Sequence, residues 1–549
     1  MIEHVHAATI EGPIRGLVDR GVATFRGIPY GAPVSGPNRW KPPQPPDRWS
    51  RPFDATKTGP RAVQRHGNLF STFIGDYFSG GRIGALGLND QVDSEDCLVL
   101  NVLTPAVDDN RRPVMVYLHG GGYTEGSGVI ATSAQRLVAE QDVVLVSVNH
   151  RLNVFGYLYL GAFDSAYADS GNVGTLDLIL ALRWVSENIA TFGGDPSNVT
   201  IFGESGGGGK VCVLLTTPLA HGLFHKAIIE SGPWLSLTSP DRAAESARGV
   251  LARVGADPTD IPALGRLCAH RFREAILPSW TALGPVKDGR TLSDEPFSDR
   301  ALDTSRGVPL LLGHCEDEMN WLVDLDRLDD TVAAAALNDM FEPDELASIR
   351  EVYEAELERP GEREILLKAL GDAYIGQNTT RIAERKVDAG DPVFRYLFRY
   401  RPPIEDGRYG AFHTAELPLV FRHVRYAEAE ALSRLLAAAW AGFARTGDPA
   451  QPGFDWTAYN RETRTAAVFD LRSSVVSDPS RERRQLWDRL PLRDLGLTTP
   501  GSSYLRERRW SRSFGLRPQA VIFALGAWFF NERVITPSAF ASRILALGL

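Results

Sequence analysis

Short runs of Val, Ile and Leu alternate along the chain with segments in which apolar residues recur at helical spacing. The runs that predict buried strands lie at 114–118, 143–148, 199–202, 227–229, 308–312, 392–400 and 465–471. Between residues 175 and 191 the apolar positions fall on one helical face, and Gly193-Gly194 ends that helix. Asp195-Pro196 then predicts a turn into the next strand. This alternation is typical of an α/β protein with a mostly parallel central sheet and helices on both faces.

Two further stretches predict helices. Residues 329–374 are helical in pattern and are expected to form an excursion outside the sheet. Apolar residues between Leu432 and Phe443 recur at helical spacing, and Gly447 is a typical stop signal. The chain shows no internal repeat.

The character of the sequence changes at about residue 489. Five arginines lie between residues 504 and 517, and an apolar run of eleven residues follows at 520–530. A bilayer-spanning helix needs roughly 20 residues, so this run is too short to cross a membrane. We therefore expect one domain over residues 1–488 and a C-terminal extension over 489–549 of unknown role. Packing on the body or on a partner is the favoured interpretation of the extension, and weak membrane-surface contact or self-association is the alternative.

Composition narrows the functional classes. A chain of 549 residues with 43% hydrophobic content can bury a large core. The net charge of −9 argues against a general nucleic-acid binder. The four cysteines form no C-x-x-C pair, which indicates neither a zinc site nor a disulfide scaffold. The N-terminus lacks a basic segment followed by an apolar core, so no secretory signal is visible and a cytoplasmic protein is expected.

The most informative segment is Gly203-Glu204-Ser205-Gly206-Gly207, directly after a predicted strand. A G-x-S-x-G motif at a strand end is typical of a tight elbow that leads into a helix and presents the serine hydroxyl above the sheet edge. Gly203 and Gly207 provide room for close chain approach. The positive end of the helix is aimed at the place where an oxyanion would form. An ordinary serine in a glycine-rich turn is the alternative.

A second glycine-rich turn follows another predicted strand. His119-Gly120-Gly121-Gly122-Tyr123 comes directly after the run that ends at Leu118. Three adjacent glycines are costly in conformational entropy unless the backbone itself is used. Such an HGGG turn is typical of hydrolases in which backbone N–H groups stabilise an oxyanion.

A serine nucleophile also needs a base and an acid that orients the base. In this type of fold the expected chain order is serine, acid, histidine. Among the eleven histidines, His413 and His423 lie far enough downstream, and His423, between two arginines, is interpreted as a surface residue. The acid should follow the strand at 308–312, where Glu316, Asp317 and Glu318 compete and spacing does not choose between them.

These motifs together resemble the type B carboxylesterase family, which has the α/β-hydrolase fold and includes the cholinesterases. The resemblance rests on segments in the family's order over roughly residues 5–487. They are Phe25-Arg26-Gly27-Ile28-Pro29-Tyr30, 94–102, 188–196 with 203–207, 284–289, and Gly410-Ala411-Phe412-His413. An excess of arginine over lysine is typical of GC-rich bacterial genomes, which favours a bacterial member.

The resemblance implies a role for each site residue. Ser205 is the nucleophile, His413 the general base and acid, and Glu318 the orienting acid. The oxyanion donors are the N–H groups of Gly121, Gly122 and Gly206. Ser231 supports the acid from behind, and Glu204 shapes the field at the floor of the pocket. The implied activity is hydrolysis of small-molecule carboxylic esters through an acyl-enzyme, without a metal or organic cofactor.

The chain departs from the family pattern in three places. Gly206 stands where alanine is usual, although its N–H donor is retained, and Met319 stands where glycine is common. Cys97 lacks the cysteine partner that often closes the loop before it, so a free, buried thiol is expected. The loop from 64 to 91 contains four aromatic residues, which either line a gorge or pack internally: Phe70, Phe73, Tyr77 and Phe78.

Two alternative functions remain open at this point. A binding or adhesion protein of the same fold would lack turnover, whereas here each triad and oxyanion position is filled. A serine hydrolase whose natural bond is an amide, carbamate or lactone would use the same machinery. The natural substrate, the acyl preference and the oligomeric state are beyond the sequence.

Overall fold

The computed structural model describes residues 3–64, 91–275, 283–321, 325–326, 328–358 and 360–490. The strands in this part of the chain are β1 (His4–Ala8), β2 (Pro13–Asp19), β3 (Val22–Pro29), β4 (Phe53–Asp54), β5 (Arg61–Ala62), β6 (Asp93–Ser94), β7 (Val99–Thr104), β8 (Arg112–Leu118), β9 (Val144–Val148), β10 (Gly194–Glu204), β11 (Lys226–Glu230), β12 (Leu310–Cys315), β13 (Val393–Phe398), β14 (Thr465–Phe469) and β15 (Ser474–Ser477).

Thirteen of these strands form one sheet in the order β1-β2-β3-β7-β9-β8-β10-β11-β12-β13-β14-β15, with β4 paired to β2. The strands from β9 to β14 in this order run parallel. Antiparallel pairs occupy the two ends of the sheet. The prediction of a mostly parallel α/β sheet is therefore confirmed.

Helices connect and cover the strands. They are α1 (Gln135–Gln141), α2 (Asn153–Tyr157), α3 (Val173–Asn188), α4 (Gly206–Leu215), α5 (Pro240–Val254), α6 (Ile261–Leu264), α7 (Ala269–Ala275), α8 (Asp299–Thr304), α9 (Asp330–Met340), α10 (Pro343–Glu356), α11 (Glu362–Gly371), α12 (Gln377–Asp388), α13 (Leu417–Val420), α14 (Glu430–Thr446) and α15 (Arg481–Arg489). The predicted excursion corresponds to α9, α10 and α11.

Both faces of the sheet are buried, which explains why its central strands are hydrophobic throughout. Along β8, Val114 and Val116 pack in one core cluster, while Met115 and Tyr117 pack in the other. Successive side chains of a strand point to opposite faces, so this division follows from the pleat. Helix α3 contributes to the first cluster and α14 to the second.

One predicted turn lies inside a strand. Strand β10 already begins at Gly194, so Asp195-Pro196 belongs to it rather than preceding it. The pairing of β10 with β8 shifts register between Gly194 and Val199, and this irregularity accommodates the proline, which cannot donate to a sheet hydrogen bond.

Several predictions concern segments outside the described residues. The aromatic side chains of the loop 64–91 and the extension beyond residue 490 lie there, so their roles and the boundary at 488/489 stay predictions. In the described ranges, no helix has both the length and the apolar character that crossing a membrane requires.

The parallel strands bring the predicted chemical groups to one edge of the sheet. Strands β8, β10, β11 and β12 are neighbours and run in the same direction, so their carboxyl ends share that edge. The residues that follow these ends are His119, Ser205, Ser231 and Glu316. Ligands of open α/β sheets bind at this edge.

Candidate active site

Ser205 forms the sharp turn between β10 and α4. Its φ of 57° and ψ of −123° lie in a region that a serine adopts only under strain. Its N–H donates to the carbonyl oxygen of Glu230 at 2.8 Å, which ties the turn to the end of β11. A Cβ atom at Gly207 would overlap the carbonyl oxygen of Leu118, so only glycine allows the strand β8 to approach.

The turn after β8 lies against this elbow. Gly121 and Gly122 have φ values of 87° and 63°, which favour glycine. A Cβ atom at Gly206 would overlap the backbone of Gly122, so the two backbones are in close contact. In the described part of the chain, the N–H groups of Gly121, Gly122 and Gly206 have no backbone acceptor. Three such N–H groups beside Ser205 suit an anionic oxygen.

His413 connects the elbow to the end of β12. Its Nδ1 lies 2.5 Å from Glu318 Oε2, and its Nε2 lies 3.2 Å from Glu204 Oε1. Both carboxyls and the imidazole are buried. Because Glu204 immediately precedes Ser205, the Nε2 edge of the ring lies at the elbow.

The three adjacent acids after β12 have separate roles. Glu318 Oε1 accepts a hydrogen bond from the Cys315 N–H at 2.8 Å, and its other oxygen meets His413. Asp317 holds the histidine loop: its N–H donates to the Ala411 carbonyl at 2.9 Å, and its Oδ2 accepts from the Ala411 N–H at 2.8 Å. The structure thus directs Glu318, and not Asp317, toward the imidazole.

Glu316 points away from His413 into a cluster of cations. Its carboxylate contacts Lys368 at 2.7 Å, Arg483 at 2.9 Å and Arg399 at 3.1 Å. Burial acts to raise the pKa of Glu316, but these three cations outweigh it and hold the pKa well below its usual range. Glu316 is therefore an ion-pair residue.

Comparison with known proteins identifies the family. The model of the carboxylesterase family matches residues 3–487. The chain belongs to the carboxylesterase family.

Relatives and solved structures agree with this assignment. The chain is 33% identical to the para-nitrobenzyl esterase of Bacillus subtilis over 507 residues, which cover 88% of this chain and 98% of that protein. It is 32% identical to the human cocaine esterase, over 85% of this chain and 87% of the relative. The structure of Geobacillus stearothermophilus carboxylesterase EST55 at pH 6.2 superimposes with a TM-score of 0.76 at 34% identity, covering 88% of this chain and 99% of that one. The enzyme is a carboxylic ester hydrolase with the α/β-hydrolase fold.

Behind the imidazole, this carboxylesterase contains several buried carboxyls. Burial raises the pKa of Glu204 well above its usual range, and the nearby Glu416, Glu318 and Glu230 raise it further. Burial, together with Glu416, also raises the pKa of Glu230 to about 8. Both shifts favour the protonated, neutral form of these carboxyls.

Glu416 is a member of this cluster that the sequence did not single out. Its carboxyl accepts hydrogen bonds from Cys315 Sγ at 2.9 Å and from the Tyr396 hydroxyl at 3.0 Å. Ser231, expected to support Glu318, donates to Glu416 Oε1 at 3.5 Å. Ser231 thus contacts the acid cluster rather than the expected acid. The position of Glu416 three residues after His413 is the signal that the sequence offers.

Two further sequence interpretations, those of His423 and Cys97, can be compared with the structure. His423 was expected at the surface; it is half-buried, and its Nε2 lies 2.9 Å from the Ser133 carbonyl oxygen. Trp321 stacks on His413 with ring centroids 6.4 Å apart, and Met319 is buried. Cys97 is free and buried, as predicted.

The sequence also gave no role to Lys210, whose side chain is buried beside the glycine loop. Its Nζ donates to the His119 carbonyl oxygen at 2.7 Å. The signal is a lysine directly before the apolar run Val211-Cys212-Val213-Leu214-Leu215.

Proposed function

We propose that this enzyme cleaves carboxylic esters through an acyl-enzyme with a Ser205–Glu318–His413 triad. The observation that carries the proposal is the placement of His413. One ring nitrogen meets Glu318 at 2.5 Å, and the other lies at the elbow that holds Ser205. This is the arrangement of nucleophile, base and orienting acid that serine hydrolysis requires.

The proposed reaction has two halves. In the first, His413 takes the proton of Ser205 as its hydroxyl attacks the ester carbonyl, and then gives that proton to the leaving alcohol. In the second, His413 activates water, which releases the acid from the acyl-enzyme. Glu318 accepts from Nδ1–H, which leaves Nε2 as the basic nitrogen and stabilises the imidazolium.

The N–H groups of Gly121, Gly122 and Gly206 are the proposed donors to the tetrahedral oxyanion. Their close approach to one another and the absence of a backbone acceptor in the described residues support this role. Removing one such donor typically costs about 10²–10³-fold in rate.

A protonated Glu204 is consistent with this mechanism. An ionised carboxylate 3.2 Å from Nε2 would compete with Ser205 for that nitrogen and hold the ring as an imidazolium. Burial and the three neighbouring carboxyls raise the pKa of Glu204 well above its usual range, which disfavours such an imidazolium in the resting enzyme.

The experiment that tests the function is pre-steady-state hydrolysis of p-nitrophenyl butyrate by the wild type and by Ser205→Ala. The wild type should release a burst of one p-nitrophenol per active site, and Ser205→Ala should show neither burst nor turnover above about 10⁻⁴ of the wild-type rate. Ser197→Ala, an exposed serine on the same strand, is the matched control and should behave like wild type. Full retention of activity by Ser205→Ala would refute the triad.

A binding or adhesion protein would show no turnover in the wild type at all.

A separate set of substrates is needed to identify the class of bond that the enzyme cleaves naturally. Esters, amides, carbamates and lactones of graded acyl and alcohol size should be compared by kcat/KM. We expect esters of small molecules to rank first, and a higher kcat/KM for another bond class would reassign the reaction while leaving the triad intact.

A further inference from the structure

Lys210 is the only charged residue of helix α4 and lies in the interior. Its side chain is about as inaccessible as the surrounding valines and leucines, with 1% of the residue exposed. Its Nζ donates to the His119 carbonyl oxygen at 2.7 Å and lies 5.6 Å from the centre of the Tyr123 ring. Both of these residues belong to the turn after β8.

The groups that face this ammonium are neutral. The His119 and His150 rings stack with centroids 5.2 Å apart. Burial lowers the pKa of each well below its usual range, and the proximity of Lys210 lowers it further. Burial raises the pKa of the Tyr123 hydroxyl, so this group is uncharged as well. Burial also lowers the pKa of Lys210 itself to about 7.

Two other lysines in the described ranges pair with carboxylates, whereas the buried Lys226 donates to the amide oxygen of Asn198. Lys386 contacts Asp391 at 2.5 Å, and Lys368 contacts Glu316 at 2.7 Å. In the described part of the chain, no carboxylate lies within ion-pair distance of Lys210. A buried cation without a counter-ion lowers the free energy of unfolding. Such a destabilising residue indicates a contribution to function.

Lys210 and the His119 ring together hold the first two carbonyls of the glycine turn. The ammonium holds the carbonyl of His119, while His119 Nδ1 lies 2.8 Å from the carbonyl oxygen of Gly120 and must donate to it. Since a peptide unit is planar and trans, holding the Gly120 carbonyl directs the N–H of Gly121 the opposite way. Lys210 also lies one helical turn after Gly206, on the same face of α4.

We propose that Lys210 is a positioning residue for the oxyanion site: its ammonium fixes the peptide that begins the glycine turn and adds positive potential behind the developing oxyanion. This inference rests on the proposed function, because it assumes that Gly121, Gly122 and Gly206 bind the tetrahedral intermediate. It assigns to Lys210 a contribution to kcat and not to ground-state binding.

The test compares Lys210→Met with wild type. Methionine fills similar volume without charge or donor. We expect kcat to fall about 10–100-fold with KM changed less than threefold, because the lost interaction acts on the transition state. Affinity for an aryl trifluoromethyl ketone, which forms an oxyanionic adduct with an active-site serine, should fall by the same factor as kcat/KM. The melting temperature should rise, since an uncompensated cation has been removed.

A matched control is Lys386→Met, which removes an equally buried but ion-paired lysine. Its melting temperature should fall, because Asp391 is left unpaired, while kcat of the folded enzyme stays within about twofold. An unchanged kcat or a lower melting temperature in Lys210→Met would overturn the proposal, the latter by showing a purely structural role.

A measurement on the wild type keeps the proposal testable if Lys210→Met does not fold. Affinity for the ketone should weaken as pH rises above about 7 and Lys210 loses its proton. An affinity that stays constant from pH 7 to 9 would overturn the proposal. A wild type that neither hydrolyses esters nor reacts with the ketone would instead refute the proposed function, and with it this inference.

Discussion

Glu316 and Glu318 lie two residues apart after β12 and have opposite electrostatic surroundings. Glu316 is enclosed by Lys368, Arg399 and Arg483. Glu318 meets the His413 ring and a backbone N–H, and no lysine or arginine of the described chain lies within ion-pair distance of it. The same chemical group thus forms ion pairs in one place and contacts an imidazole in the other.

The difference extends to the neighbours of each acid. The cations around Glu316 also contact other acids, namely Asp317, Glu356 and Asp372. Breaking such a buried pair typically costs about 3–5 kcal/mol of stability. On the other side, Glu204 and Glu416 lie near Glu318, and Glu230 lies near Glu416. In the described ranges these three acids have no lysine or arginine partner, and burial raises their pKa values. Destabilised groups concentrated at one end of the sheet are typical of a catalytic site.

Replacing His413 with alanine should have the largest effect. The proposed triad loses its base, so kcat should fall about 10⁴-fold or more, with far-UV circular dichroism unchanged. His423→Ala is the control: this histidine is half-buried and hydrogen-bonds a backbone carbonyl, and kcat should change less than about threefold. Equal losses in the two variants would show that the contact with Glu318 does not account for the effect.

The variants Glu318→Gln and Glu316→Gln test the different roles of the two acids. Glu318→Gln should lower kcat about 10³–10⁴-fold, because the amide no longer stabilises the imidazolium, while urea unfolding changes little. Glu316→Gln should do the reverse, losing up to about 3–5 kcal/mol of stability with kcat of the folded enzyme nearly retained. If both variants lost stability alone, the assignment of Glu318 as the orienting acid would be wrong.

Glu230→Gln should have the smallest catalytic effect and a pH-dependent effect on stability. Burial, reinforced by Glu416, raises the folded-state pKa of Glu230 to about 8, so the folded protein retains a proton that the unfolded chain has lost. This contribution to stability is complete below the ordinary pKa of a glutamic acid and is lost as pH rises through about 8.

Removing this carboxyl should therefore reduce the fall in unfolding free energy that accompanies rising pH. Relative to wild type, Glu230→Gln should gain up to about 4 kcal/mol in unfolding free energy at pH 8 and little at pH 5. The amide oxygen can still accept from the Trp440 indole N–H, so the hydrogen bond is preserved. Urea titrations at the two pH values measure the difference, and an equal gain at both would count against a titrating Glu230.

The sequence predicted the parts of the site that lie next to their strands. Ser205 and the glycine turn each follow an apolar run directly, so their place at the sheet edge follows from local pattern alone. Spacing alone did not choose among Glu316, Asp317 and Glu318, and Glu318 was selected only by the family resemblance. In the structure Asp317 pairs with Ala411, which leaves Glu318 beside the imidazole. The sequence did not identify Glu416 and Lys210 as site residues. Their roles depend on burial against segments that are distant in the chain, which spacing does not encode.

The strand boundaries show the same limit. The pattern located β8, β9 and β11 closely, but Asp195-Pro196 predicted a turn where β10 already pairs with β8. Proline was tolerated there because the register shift removes the need for its N–H. Local propensity was overridden by tertiary pairing at that position.

Covalent trapping at Ser205 tests whether this serine is the nucleophile. The wild type should be incubated with a fluorophosphonate, its intact mass determined and the modified peptide sequenced by mass spectrometry. We expect one adduct per chain on Ser205, and we expect the reaction to be slowed about 10³-fold or more in His413→Ala. Labelling at another serine, or equal labelling of Ser205→Ala, would contradict it.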